Sequence, residues 1–104
     1  VAPIIQVEQC HFDFPRSSDA SVRTLTQQFS FEQCVNRAVA FVSGYSGHYT
    51  DDPNLNIGRI HVKAEASLED AQKGEILVTC EWAFDPQASS FPSAGEVWVT
   101  VLGW

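Results

Sequence analysis

The sequence predicts an all-β fold, a six-stranded antiparallel β-sandwich, and three observations carry that expectation. Six short runs are rich in β-branched and aromatic residues, and Pro, Gly, Asp, Asn or Ser separates each from the next. Several runs alternate apolar and polar residues with the period of two that a half-buried strand requires. No segment holds a helical pattern for long: "SLEDAQKGE" offers one turn, which Gly74 closes before a stable helix can form.

The runs justify themselves in order. Residues 4–12 ("IIQVEQCHF") read as a strand that ends where Pro15 enters "FDFPRSSDAS". In residues 23–31 ("RTLTQQFSF"), Leu25, Phe29 and Phe31 share a face that Gln27 interrupts. Residues 37–43 ("RAVAFVS") are apolar on both faces, as expected of a central or doubly covered strand. Residues 57–66 split most cleanly, with Ile60, Val62, Ala64 and Ala66 opposed to Arg59, His61, Lys63 and Glu65. Residues 75–84 bury Ile76, Val78, Cys80, Trp82 and Phe84 by the same alternation, and "DPQASSFPSAG" follows as a loop with two prolines. Residues 96–102 close the series. Val97, Val99 and Val101 lie on one side there and Trp98 on the other with Trp104, so those two indoles need an apolar partner of their own, a second subunit or a sugar ring.

At 104 residues the chain is one domain, residues 1–104, and 44% apolar against 18% charged residues mark it as globular. It opens at Val1 rather than Met, as a processed protein or a piece of a longer one does. A net charge of -7 with only six Lys and Arg argues against nucleic acid as a partner, which needs a basic stripe, and against an anionic membrane surface. No apolar run approaches the length of a membrane span.

No catalytic motif is present, neither GxSxG nor HExxH nor a phosphate-cradling glycine loop, and a non-enzymatic protein without a cofactor is expected. The stretch "DPNLNIG" starts like a calcium loop, with Asp52, Asn54 and Asn56 on alternate positions after Asp51. Gly58 then falls one position late, and Lys63 stands where a bidentate glutamate belongs, so the segment reads as a turn-rich loop and not a metal site. Cys10, Cys34 and Cys80 have no metal-ligand spacing. An odd count fits one disulfide plus a third thiol, free or bridging two chains, and equally fits three reduced cysteines. A hairpin centred near residue 71 sets His61 opposite Glu81 and Lys63 opposite Thr79, so Arg59, His61, Lys63 and Glu81 line a polar outer face.

The order and spacing of "RTLTQQFSF", "NRAVAFVSGY", "NIGRIHVKAEAS", "VTCEWAF" and "VWVTVLGW" resemble the H-type lectin domain, the small domain of snail agglutinins and of discoidin-type lectins, from about residue 16 onward. The resemblance implies a six-stranded sandwich that assembles as a trimer or a hexamer. It also implies binding of terminal N-acetylgalactosamine or galactose in clefts between protomers, in a secreted or surface-exposed protein. The family's basic sugar-binding residue falls on Lys63, its stacking tryptophan on Trp82 and its acid near Asp19, while Ala83 replaces the histidine that usually follows the tryptophan. Arg59, His61 and Glu81 become candidates for the subunit contact. Cys10 would pair with Cys80, leaving Cys34 free or linking subunits. A trimerising module of a larger surface or fibre protein, with no small ligand, is the alternative expectation.

Overall fold

The computed structural model describes residues 5–17, 22–49, 60–84 and 92–104. They form six strands: β1 (Gln6–Ser17), β2 (Arg23–Ser30), β3 (Ala38–Tyr49), β4 (Ile60–Asp70), β5 (Glu75–Phe84) and β6 (Ser93–Gly103). All pair antiparallel, in two three-stranded sheets ordered β1-β6-β3 and β2-β5-β4. This is the all-β sandwich that the alternation predicts. Only β4 and β5 form a hairpin; every other connection carries the chain from one sheet to the other.

The core lies between the sheets and follows the strand parity. From β6 come Val97, Val99 and Val101, from β1 Cys10, Phe12 and Phe14, and from β5 Ile76, Val78, Cys80 and Trp82. Fully burying one such large side chain contributes about 1.5–3 kcal/mol relative to leaving it in water. Two glycines on the inward face of β6 set the ends of this core. A Cβ on Gly95 would lie 2.6 Å from the Trp82 ring, and one on Gly103 would lie 2.5 Å from the Phe31 ring. The large rings therefore occupy space that a side chain on the central strand would fill.

The end of the sandwich at Phe31 is sealed by backbone. The β2–β3 connection donates from Phe31 to the Gly74 carbonyl and from Val35 to that of Ala71, at 2.9 Å each, which ties it to the β4–β5 turn. Asn36 and Arg37 donate to the Trp104 carbonyl, and Trp104 returns a bond to Arg37. In the turn itself Asp70 Oδ1 accepts from the amides of Gln72 and Lys73, and Gly74 takes φ 68°. That arrangement is an Asx-type turn where the helical turn was an option.

Three details differ from the alternation alone. β1 runs past Pro15 with an irregular register between Phe14 and Ser17, which an edge strand tolerates because it has no outer partner needing an amide. The apolar β3 is an edge strand, not a central one, and its outward Val39 and Phe41 are each 45% exposed. The β4–β5 hairpin pairs Lys63 with Glu81 and His61 with Ala83, two residues from the expected register. The cause is the extension of β4 to Asp70, with an irregularity between Leu68 and Asp70 ahead of the turn. A shift of two keeps every side chain on its predicted face.

Gly95→Ala and Gly103→Ala should each destabilise the fold by about 1–3 kcal/mol, the usual cost of overpacking. Urea unfolding checks this, and a midpoint within error of the parent's would disprove the close approach.

Candidate functional site

The two outer faces differ in chemistry. On the β2-β5-β4 sheet, residues pointing out from neighbouring strands align as Thr24–Glu81–Lys63 and Thr26–Thr79–Glu65, a polar ladder. Lys63 Nζ lies 2.8 Å from Glu65 Oε1, and this hydrogen bond raises the lysine's pKa above its ordinary value. His61 Nε2 lies 3.4 Å from Glu81 Oε2, so His61 and Glu81 meet diagonally although they are not direct register partners. Exposed pairs of this kind contribute little to stability.

Of the residues that the resemblance assigns to a sugar site, Trp82 and Lys63 lie on opposite sides of their sheet. Trp82 is 1% exposed and faces the core, stacked on Phe14 with ring centroids 5.7 Å apart and planes at 20°. The Arg23 guanidinium covers it at 4.7 Å from the ring centroid while donating to the backbone carbonyls of Pro15 and Ser93. Lys63 sits on the opposite, solvent side of the same sheet. Trp82 therefore offers no ring face to a ligand, and that assignment is corrected: it is a core residue. Ala83 shares the outward side with Lys63 but is itself buried, beside His61 in register. Asp19 and Arg59 lie outside the described residues, as do Asp51, Asp52, Asn54 and Asn56. Among the described residues no cluster of His, Cys, Asp and Glu could hold a metal ion.

The Cys10–Cys80 disulfide is likewise corrected. Both thiols are free and buried, and Cys34 is free and exposed. Cys10 belongs to β1 of one sheet and Cys80 to central β5 of the other. Burial, with a smaller contribution from Glu81, pushes the Cys80 thiol up to about 11; burial, then Glu8, also raises Cys10.

The outer face of the β1-β6-β3 sheet is the less ordinary one. Successive rows across β1, β6 and β3 are Val7–Leu102–Val39, Gln9–Thr100–Phe41, His11–Trp98–Gly44 and Asp13–Glu96–Ser46. Val7 is 58% exposed and Trp98 41%. One half of the face is thus apolar and the other combines an indole with polar groups. The sequence signalled both features, through the doubly apolar "RAVAFVS" and the outward parity of Trp98. It gave no sign of Arg23 over Trp82, nor of Gln27, whose amide reaches across to the His11 carbonyl at 2.6 Å and bridges the two sheets where they meet at β1 and β2. Comparison with protein families, with curated proteins and with solved structures finds no match to this chain.

A thiol reagent at neutral pH should modify one cysteine in the native protein and three after denaturation without reductant. Finding only one in denaturant would establish the disulfide instead. Because the folded Cys80 holds its proton above the unfolded value of 9.0, its contribution to stability is complete below pH 9. It is lost progressively between pH 9 and about 11. Chemical unfolding across that range should show the decline, and Cys80→Ala should reduce it.

Proposed function

We propose that this chain is a non-enzymatic, carbohydrate-binding oligomer, a lectin for glycans ending in N-acetylgalactosamine or galactose. Shallow sites repeated on a trimer, or on two trimers paired as a hexamer, give avidity on a glycan-coated surface that one site lacks. The observation that carries the self-association is the apolar half of the β1-β6-β3 face. Val7, Val39 and Phe41 expose between 45% and 58% of their surface there. Contiguous apolar area of this kind on a small domain marks a place where another surface docks. The carbohydrate part of the reading rests on the resemblance to H-type lectins and on the outward indole of Trp98.

A second reading is favoured by one observation, the burial of Trp82 and Ala83, which removes two of the carried-over sugar contacts. In that reading the domain joins a larger surface or fibre assembly and takes no small ligand. A glycan array, run on protein whose solution mass is known, separates the two. Binding to terminal N-acetylgalactosamine or galactose that free sugar competes away is expected. An oligomer that ignores every glycan would favour assembly, and a monomer would refute both readings. Phe41→Glu, placing a charge in the apolar half, should reduce the sedimentation mass to that of a single chain without unfolding it.

A further inference from the structure

Trp98 is held in an unusual way for so exposed an indole. On one flank His11 lies against it, with ring centroids 5.4 Å apart and planes tilted by 35°. On the other flank is Gly44, where a Cβ would stand 3.5 Å from Trp98 Cε3, so the ring edge rests over backbone. The strand beside it is shaped for this contact. The register of β3 shifts between Val42 and Gly44, and Ser43 Oγ donates to the Trp98 carbonyl at 3.1 Å. Bulges of this kind re-aim side chains and recur next to binding sites. An aromatic surface supported from both sides, and still 41% exposed, binds without first giving up rotamer freedom.

Hydrogen-bonding groups surround the ring. His11 Nε2 lies 3.5 Å from Glu96 Oε1. Asp13 stands directly across the antiparallel pair from Glu96. Two carboxylates in opposed positions destabilise a sheet, so the fold gains nothing from having both there. Ionised, they accept hydrogen bonds and donate none. The rows from Gln9–Thr100–Phe41 to Asp13–Glu96–Ser46 contain no lysine or arginine. The surface therefore disfavours an anion and suits a ligand that is rich in hydroxyl donors and apolar on one face.

We propose that Trp98 is the centre of a carbohydrate site on the outer face of the β1-β6-β3 sheet, taking the C–H face of a neutral pyranose while Asp13 and Glu96 accept its hydroxyls. The site deepens the lectin reading and rests on it. It also moves the sugar from the Lys63 side of the sandwich to the opposite face. A galacto-configured ring suits the indole, because its axial hydroxyl projects to one side and leaves a continuous C–H patch on the other. Uronic, sialic and sulfated sugars are excluded by the two carboxylates and by the chain's net charge of -7. The apolar half of the same face lies alongside, at the Val7–Leu102–Val39 row. A subunit docked there borders the sugar.

The test titrates methyl galactoside and N-acetylgalactosamine into the full chain and into four variants, by calorimetry and by the indole N–H signals in NMR. Trp98→Ala should weaken binding about tenfold or more, the scale of one lost aromatic contact. Trp98→Phe should keep most of it, and Lys63→Ala should change nothing. Gly44→Val supplies an independent check. The Cβ position is at ordinary contact distance and the backbone there is not left-handed, so the variant folds while its side chain crowds the ring. It too should lose binding. In the parent protein the Trp98 indole signal should move on titration and that of Trp82 should not. Equal affinity in the parent, Trp98→Ala and Gly44→Val would overturn the site while leaving the lectin reading intact. Loss of oligomer mass in Trp98→Ala with unchanged affinity would assign the indole to a subunit contact and overturn the site as well. A parent chain that binds neither sugar would overturn the site together with the lectin reading.

Discussion

Everything in the sandwich is arranged around the inward face of β6, which reads Gly95, Val97, Val99, Val101, Gly103. The three valines are fully buried and keep the two sheets apart at a spacing suited to β-branched side chains. The glycines leave a gap at either end, and each gap is filled from elsewhere in the chain, by Trp82 at one end and Phe31 at the other. Because the filling rings come from β5 and from the β2–β3 connection, the two sheets cannot slide past one another without losing both fits. At the Trp82 end this ring is stacked on Phe14 and covered by the Arg23 guanidinium, whose hydrogen bonds to the Pro15 and Ser93 carbonyls link both sheets.

With the inside settled in this way, the outside is free to specialise, and the two faces do so in opposite directions. The β2-β5-β4 face is a solvated lattice of Thr, Glu, Lys and His whose ion pairs are exposed and energetically modest. The β1-β6-β3 face keeps apolar groups and an indole where water could otherwise reach. Since β6 is the central strand of that sheet, Trp98 is borne by a strand paired along both edges. The indole's sequence neighbours Val97 and Val99 are fully buried on the inner side, which fixes the backbone from which the ring projects outward.

Much of this was legible in the residues. Strict alternation in residues 60–66 and 75–82 assigned faces correctly even though the register was two positions out, because a strand's faces depend only on parity. The register itself depended on how far β4 ran before the Asp70 turn, which no alternation encodes. The pattern in "RAVAFVS" read as a central or doubly covered strand, whereas β3 is an edge strand whose outward Val39 and Phe41 are exposed. Parity also placed Trp82 inside, against its assignment to a sugar site by resemblance, and parity was the better guide. What sequence could not supply was contact between distant positions, such as Arg23 with Trp82 or Gln27 with the His11 carbonyl.

The strand order bears on how the molecule is made as well as on how it stands. β1 and β3 both pair with β6 and not with each other, and β6 is the last of the six to leave the ribosome. Until it arrives, the β1-β6-β3 sheet has no centre, and the two strands that will flank it wait with their backbone amides and apolar side chains uncovered. Long-range pairings of this sort close large loops and form slowly. The β4–β5 hairpin, the one local pairing, is the natural place for structure to begin. The interval before β6 inserts is the period in which the nascent chain is most open to mispairing with its neighbours.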